Sequence, residues 1–312
     1  MALDVSGLTA YVDENKLPLI RQSILNGRTL DMIQVQGGIK TSAMINIIDS
    51  PLTAVAGACG FSASGDTTLT QRELVVSDLK VNESICLTTL EGFYTQTKMN
   101  PGSYNESIPF EQIYAEEKVS RLNALIEDLV WRGDIGGGAG NLALSDGLVL
   151  LLSTTEIANV VNGNTGAITV AVGITAANII AIVDAMVAAI PENAIDASDL
   201  KLFMSYAHYR LYTQALRNAN LFHFAGNEGT DFRIMIPGTN VEAVATKGLT
   251  GVAHMYVSPA SNIYFGTDLL SDAENFSLFY SKDNDEVRFI AKWKQGVQVA
   301  FPELVVNFTL VP

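Results

Sequence analysis

The residues able to do chemistry are few and scattered along the chain. The three histidines are His208, His223 and His254, and none has a His-x-x-x-His spacing with a nearby acid that would turn two imidazoles towards one metal ion. His208 falls among tyrosines on an expected helix. There a histidine packed into the fold is the ordinary outcome, and a general base is the sharper alternative. Gly136-Gly137-Gly138-Ala139-Gly140 superficially matches a phosphate cradle. A P-loop, however, needs a strand before it and Gly-Lys-Ser/Thr opening a helix after it, whereas here a helical pattern precedes and Asn141-Leu142 follows. The stretch therefore reads as a hinge or loop, and Arg132-Gly133-Asp134 before it as a helix end. No Gly-x-Ser-x-Gly elbow occurs, and Asp283, Asp285 and Glu286 read as a solvated turn. Cys59 and Cys86 are too few for a disulfide framework or a metal set. The expectation is a protein that is not an enzyme, with no cofactor and no metal.

If the chain does not act by chemistry, its elements matter for the surfaces they present. One segment keeps a helical period throughout: Ala115, Val119, Leu122, Ile126 and Leu129 recur at steps of four and three, with Leu125 and Val130 beside them. Pro109 suits a first turn, Gly133 supplies a stop, and Glu117–Arg121 is an i,i+4 pair. A helix over 109–132 would be a rod of roughly 35 Å at about 1.5 Å per residue.

Composition bounds the rest. Of 312 residues 48% are hydrophobic, enough for a large core, and only 17% are charged. Those charges are lopsided, 33 acidic against 19 basic for a net −14, so a surface that grips nucleic acid phosphates is unfavoured. The N-terminus lacks the basic and apolar regions of a secretory signal, and the longest apolar run, Ile174 to Ile190, is interrupted by Asn178 and Asp184. The expected site of synthesis is a cytoplasm.

Residues 1–56 show no sustained period, but Arg21, Arg28 and Lys40 outweigh Asp31 over 21–40 and make that stretch locally basic. They are either a solvated face or a partner-binding strip. From Cys59 to Cys86, turn signals at Ser64-Gly65-Asp66 and Ser77-Asp78 flank β-type residues with polar side chains on both faces. Such a hairpin could be an ordinary surface feature, or could project and find its second surface on a neighbouring molecule. The cysteines sit at its two bases, where they could face each other, reduced in the cytoplasm. Asp146 to Val161 is ambiguous between strand and helix. Beyond it, Thr175 should cap a helix with Ile179, Ile182, Val183, Met186, Val187 and Ile190 on one face, ending at Pro191. Leu200 to Met204 reads as a strand, and Tyr206 to Asn218 as a helix burying Tyr209, Tyr212 and Leu216. The last hundred residues turn to β: Phe232 to Ile236, Asn262 to Gly266, and a final stretch in which Val287, Phe289, Ala291 and Trp293 alternate with Arg288, Ile290, Lys292 and Lys294. Gly296 is read there as a break before Val297-Gln298-Val299. The class is α+β.

Three segments carry a resemblance. They are the long helix closing on Trp131-Arg132-Gly133-Asp134, the segment Pro237-Gly238-Thr239-Asn240-Val241-Glu242-Ala243-Val244 followed by Gly248-Leu249-Thr250-Gly251, and the closing run from Phe289 to Glu303 with its final strand at Leu304 to Leu310. In this order they resemble the Hong Kong 97-type major capsid proteins of tailed double-stranded DNA bacteriophages. Residues 57–134, with Cys59, Gln71-Arg72 and Cys86, are similar to capsid proteins of phages of Bacteroidetes hosts.

The resemblance implies an N-terminal arm (1–56), an extended β-hairpin loop (57–90), a peripheral domain with a spine helix (91–145, helix 109–132), an axial domain (146–270) and closing strands returning to the peripheral domain (271–312). It implies pentamers and hexamers in an icosahedral shell around phage DNA, hence a place in the virion and assembly in the bacterial cytoplasm. Implied partners are further copies of the chain, a separate scaffolding protein, portal and decoration proteins, and DNA held without sequence specificity, but no membrane. Inter-subunit contacts are expected from Gly65, Asp66, Arg72, Glu73 and Lys80 on the loop, Arg21, Arg28 and Lys40 on the arm, and Trp131, Arg132 and Asp134 at the end of the helix. The alternatives are an encapsulin-type nanocompartment shell and a soluble hydrolase using His208.

Overall fold

The computed structural model describes residues 28–50, 52–54, 57, 65, 67–86, 110–166, 168–219, 231–268, 276–284 and 286–311. In chain order these form β1 (Gln34–Gln36), β2 (Ser42–Asp49), β3 (Thr68–Val75), β4 (Ser77–Cys86), α1 (Phe110–Arg132), β5 (Val161–Asn162), α2 (Ile179–Ala188), β6 (Leu200–Ser205) and α3 (Tyr206–Asn218). There follow β7 (Arg233–Met235), β8 (Glu242–Thr246), β9 (Met255–Pro259), β10 (Ile263–Gly266), β11 (Phe276–Ser281), β12 (Glu286–Val299) and β13 (Val306–Phe308). Helix and sheet are mixed without the regular alternation of a barrel.

The three periodic helices form where their apolar spacing places them. Helix α1 buries Val119, Leu122, Ile126, Leu129 and Val130; α2 buries Ile179, Ile182, Val183 and Met186; α3 buries Tyr209, Tyr212 and Leu216. The first turn of α3 is capped by Ser205, whose hydroxyl accepts from the His208 backbone N–H at 3.2 Å. The ambiguous stretch after residue 146 is helical. A short turn, Leu148–Leu150, widens into a π-turn, Leu151–Thr155.

Two sheets carry the body. One orders β1-β10-β12-β11 with β4 also on β12, and the other orders β5-β13-β9-β6-β8-β7. The second is covered on both faces. Leu202, Met204, Met255 and Val257 join a core with α2 and α3, while Phe203 and Tyr256, one residue along, join a core with α1 and β12. Trp131 locks the two layers together, its ring 5.2 Å from Phe203 and 5.8 Å from Tyr256 and its Nε1 donating to Thr29 Oγ1 at 2.8 Å. The loop at Gly248 passes so close to α1 that a Cβ there would overlap the Trp131 ring and the Glu127 carbonyl.

Several expectations fail here, each for a physical reason. Among the described residues of 57–90, β3 and β4 do not pair with each other as a hairpin: β3 pairs antiparallel with β2, Asp49 opposite Thr68 and Ser42 opposite Val75. Strand β4 instead runs antiparallel along β12, Cys86 opposite Glu286 and Ser77 opposite Gln295. Cys86 therefore ends a strand laid along β12, and Cys59 lies outside the described residues. Gly296 does not break β12, which runs through it unbroken; a Cβ there would overlap the Val75 carbonyl, so the residue admits the close crossing of β3. Gly133 likewise ends α1 through a close approach, to the Ser145 carbonyl, without a left-handed turn. A division at residue 270 does not separate the sheets either, since β10 belongs with β12 and β13 with β9. Of the two readings of the glycine run after α1, a hinge or a loop, the structure shows a loop. Asp134 Oδ1 accepts from Gly136 N at 2.9 Å and Gly137 N at 2.7 Å, pinning the turn.

Candidate interaction surface

The site worth building from its residues is the β2–β3 pair. In an antiparallel register, opposite residues share a face. Ala43 with Leu74, Ile45 with Arg72 and Ile47 with Thr70 form one face; Met44 with Glu73, Asn46 with Gln71 and Ile48 with Leu69 form the other. The first face is anchored: Ile45, Ile47 and Leu74 are buried in a small core with Ile39, Val76 and Ala300, against Tyr264 and Phe301. The second is bare. Met44 is 52% exposed, Ile48 66% and Leu69 74%, and Leu52 beyond the end of β2 is 98% exposed. Ile48 and Leu69 face each other directly, and Gln71 Nε2 donates to Asn46 Oδ1 at 2.8 Å beside them. A bare apolar face on an isolated pair of strands is an aggregation hazard unless something covers it.

The anchored face stands off from the body across a groove of about 480 Å³, lined by Thr70, Arg72, Asn193, Phe301 and Glu303 among others. Arg72, on the groove's wall, binds Glu156 as a fork, Nη1 donating to Glu156 Oε1 at 2.9 Å and Nη2 to Oε2 at 3.4 Å. That guanidinium, with Asn159 donating to Oε2 at 2.7 Å, holds the Glu156 carboxyl below the usual carboxylate range.

The other expected contact residues fare differently. Trp131, at 0% exposure, cannot touch a neighbour, because its ring is spent on the core described above. Arg132 is half-buried, bound to Asp128 at 2.9 Å and to the Thr250 carbonyl at 3.0 Å, and Asp134 serves its own loop. Arg28 pairs with Asp231 at 2.9 Å with its guanidinium over the Phe232 ring, and Lys40 pairs with Asp268 at 2.8 Å, so these arm cations are neutralised within the chain. Lys80 is exposed opposite Lys292, and Glu73 is exposed on the bare face opposite Met44. Gly65 is exposed; Asp66 and Arg21 lie outside the described residues. The functional candidates missed in the sequence are Met44, Ile48 and Leu69.

A buried acid lies behind the arm. Glu127 accepts from Thr29 N at 3.3 Å and from Thr29 Oγ1, and its burial pushes its pKa up against those two bonds. Burial lowers the pKa of both His208 and His254, and His254 Nδ1 sits 2.8 Å from Thr309 Oγ1 in a polar seam with Ser153 and Tyr256. His223 lies outside the described residues, and among the described residues no three His, Cys, Asp or Glu gather as a metal site. Among them, too, no helix is long and apolar enough to cross a membrane.

No protein-family model matches the chain, and no curated protein does. Solved structures do, over nearly its whole length. A chain of the satellite phage P4 procapsid, in a structure that includes the size-determination protein, is 12% identical over 95% of this chain and 90% of that one, with a TM-score of 0.64. The capsid of an empty GTA particle is 12% identical over 93% and 90%, at 0.57, and a chain from Mycobacterium phage Bobi is 13% identical over 92% and 91%, at 0.53. The chain has the fold of phage capsid proteins. Within this capsid fold, the face of β2–β3 that carries Met44, Ile48 and Leu69 is left open by its own subunit.

Proposed function

We propose that the chain is a Hong Kong 97-type major capsid protein, assembling as pentamers and hexamers into the icosahedral shell of a tailed double-stranded DNA phage. The observation that carries this is the match to the P4 procapsid chain, which covers 95% of this chain and 90% of that one. Helix α1 serves as the spine, β2–β3 as the extended loop, and the α2–α3 sheet as the axial domain. Ile48 and Leu69 lie against a neighbouring copy, and many such weak contacts, repeated by symmetry, add up to a closed shell. With Arg28 and Lys40 neutralised at home and a net charge of −14, the wall holds packaged DNA without gripping it. A separate scaffolding protein and a portal complete the assembly.

Sedimentation velocity and negative-stain microscopy of the full-length protein test the reading. The expected result is closed particles or their pentamers and hexamers; a protein that stays monomeric with and without a scaffolding partner would overturn it.

A further inference from the structure

The β2–β3 pair is held to its subunit by a small apolar core and by one charged link. At its base Leu74 and Val76 sit in the small core, Val76 N donates to Thr41 O at 3.0 Å, and Gln298 Nε2 donates to Glu73 O at 2.9 Å. Along β3 towards the far end, the residues on the anchored face after Leu74 are Arg72, Thr70 and Thr68, polar side chains beside the groove, while Ile45 and Ile47 opposite them on β2 stay in the small core. Beside that groove the Arg72–Glu156 fork is the charged link to the body; among the described residues the other ionisable side chains of the two strands, Asp49 and Glu73, make no ion pair.

Its receiving end is unusual too. Glu156 closes the π-turn Leu151–Thr155, its N–H donating to Leu151 O at 2.8 Å, and π-turns are rare enough that their positions tend to be functional. Both partners are only part-buried, so water can replace the fork at modest cost, which an apolar weld would not permit.

We propose that the Arg72–Glu156 fork is a releasable strap that holds the β2–β3 pair at one angle to its own subunit and opens when the pair is drawn onto a second copy. The purpose assigned to the strap rests on the shell reading; the strap itself is a property of one subunit and is tested there. Spin labels are placed at L52C and E192C in full-length protein carrying C59S and C86S, diluted to the dissociated state. The distance distribution is then measured for the parent, for R72Q and for the exchanged pair R72E/E156R.

The parent should give one narrow distribution. R72Q should raise the population at displaced distances roughly tenfold, the scale of one charge-assisted bond in a two-state equilibrium, and the exchanged pair should restore the narrow form. A parental distribution in R72Q overturns the strap, as does a broad one in the exchanged pair when its circular dichroism shows it folded. If R72Q broadens while the parent forms no shells under any condition, the strap stands and the shell reading falls.

Discussion

Strand β12 and the β2–β3 pair are built from similar residues and meet opposite fates. Strand β12 has β10 and β4 along one edge and β11 along the other, and its apolar set Val287, Phe289, Ala291 and Trp293 is buried against α1. The β2–β3 pair buries one face on a small core and leaves Met44, Ile48 and Leu69 to solvent. The difference separates two roles: the first region holds the subunit together, and the second is the face that we propose a neighbouring copy completes. Each prediction below breaks or sharpens that division.

The largest effect belongs to the inner region. Trp131→Ala removes a fully buried indole, its two ring neighbours and its bond to Thr29, and should cost about 3–5 kcal/mol in chemical denaturation. Gly248→Ala drives a methyl into that same ring and should cost about 1–3 kcal/mol by the same measurement. Were either variant as stable as the parent, Trp131 would be free to serve as a contact after all.

The outer region should respond in the reverse sense. The double change I48S/L69S should alter the stability of the dissociated subunit by no more than about 0.5 kcal/mol, yet abolish particles in sedimentation. A large loss of subunit stability would mean that this face is already covered at home.

Glu127 gives the smallest effect, and its sign is the test. Its folded-state pKa is raised by burial, so its contribution to stability is fully present below the ordinary carboxylate range and is lost as pH rises through the raised value. E127Q should remove that loss, so that denaturation midpoints of parent and variant diverge as pH rises and converge in acid. A parent whose stability rises with pH across that window, relative to E127Q, would contradict the assignment.

Much of the inner region was legible in the sequence because it is periodic. Helices α1, α2 and α3 and the alternation of β12 follow from spacing alone, since each presents one apolar face to a core. Strand β2 was not legible because its two faces are both apolar in part: Ala43, Ile45 and Ile47 alternate with Met44 and Ile48, which erases the period-2 signal. The feature that hid the strand is also the one that makes the surface. The partner of β3 was not legible either, since pairing across some twenty residues of intervening chain leaves no local mark and Ser77-Asp78 resembles a hairpin turn. Trp131 was misjudged because Glu127, one turn before it, reads as a solvated face; its burial against Thr29 widens the covered side of α1 beyond what charge alone indicates.

The most direct test is a cryo-electron microscopy map of the full-length protein in its assembled form. The account predicts closed particles in which Met44, Ile48 and Leu69 of each copy are covered by a neighbouring copy. Particles in which that face stays open to solvent, or a protein that never assembles, would contradict it.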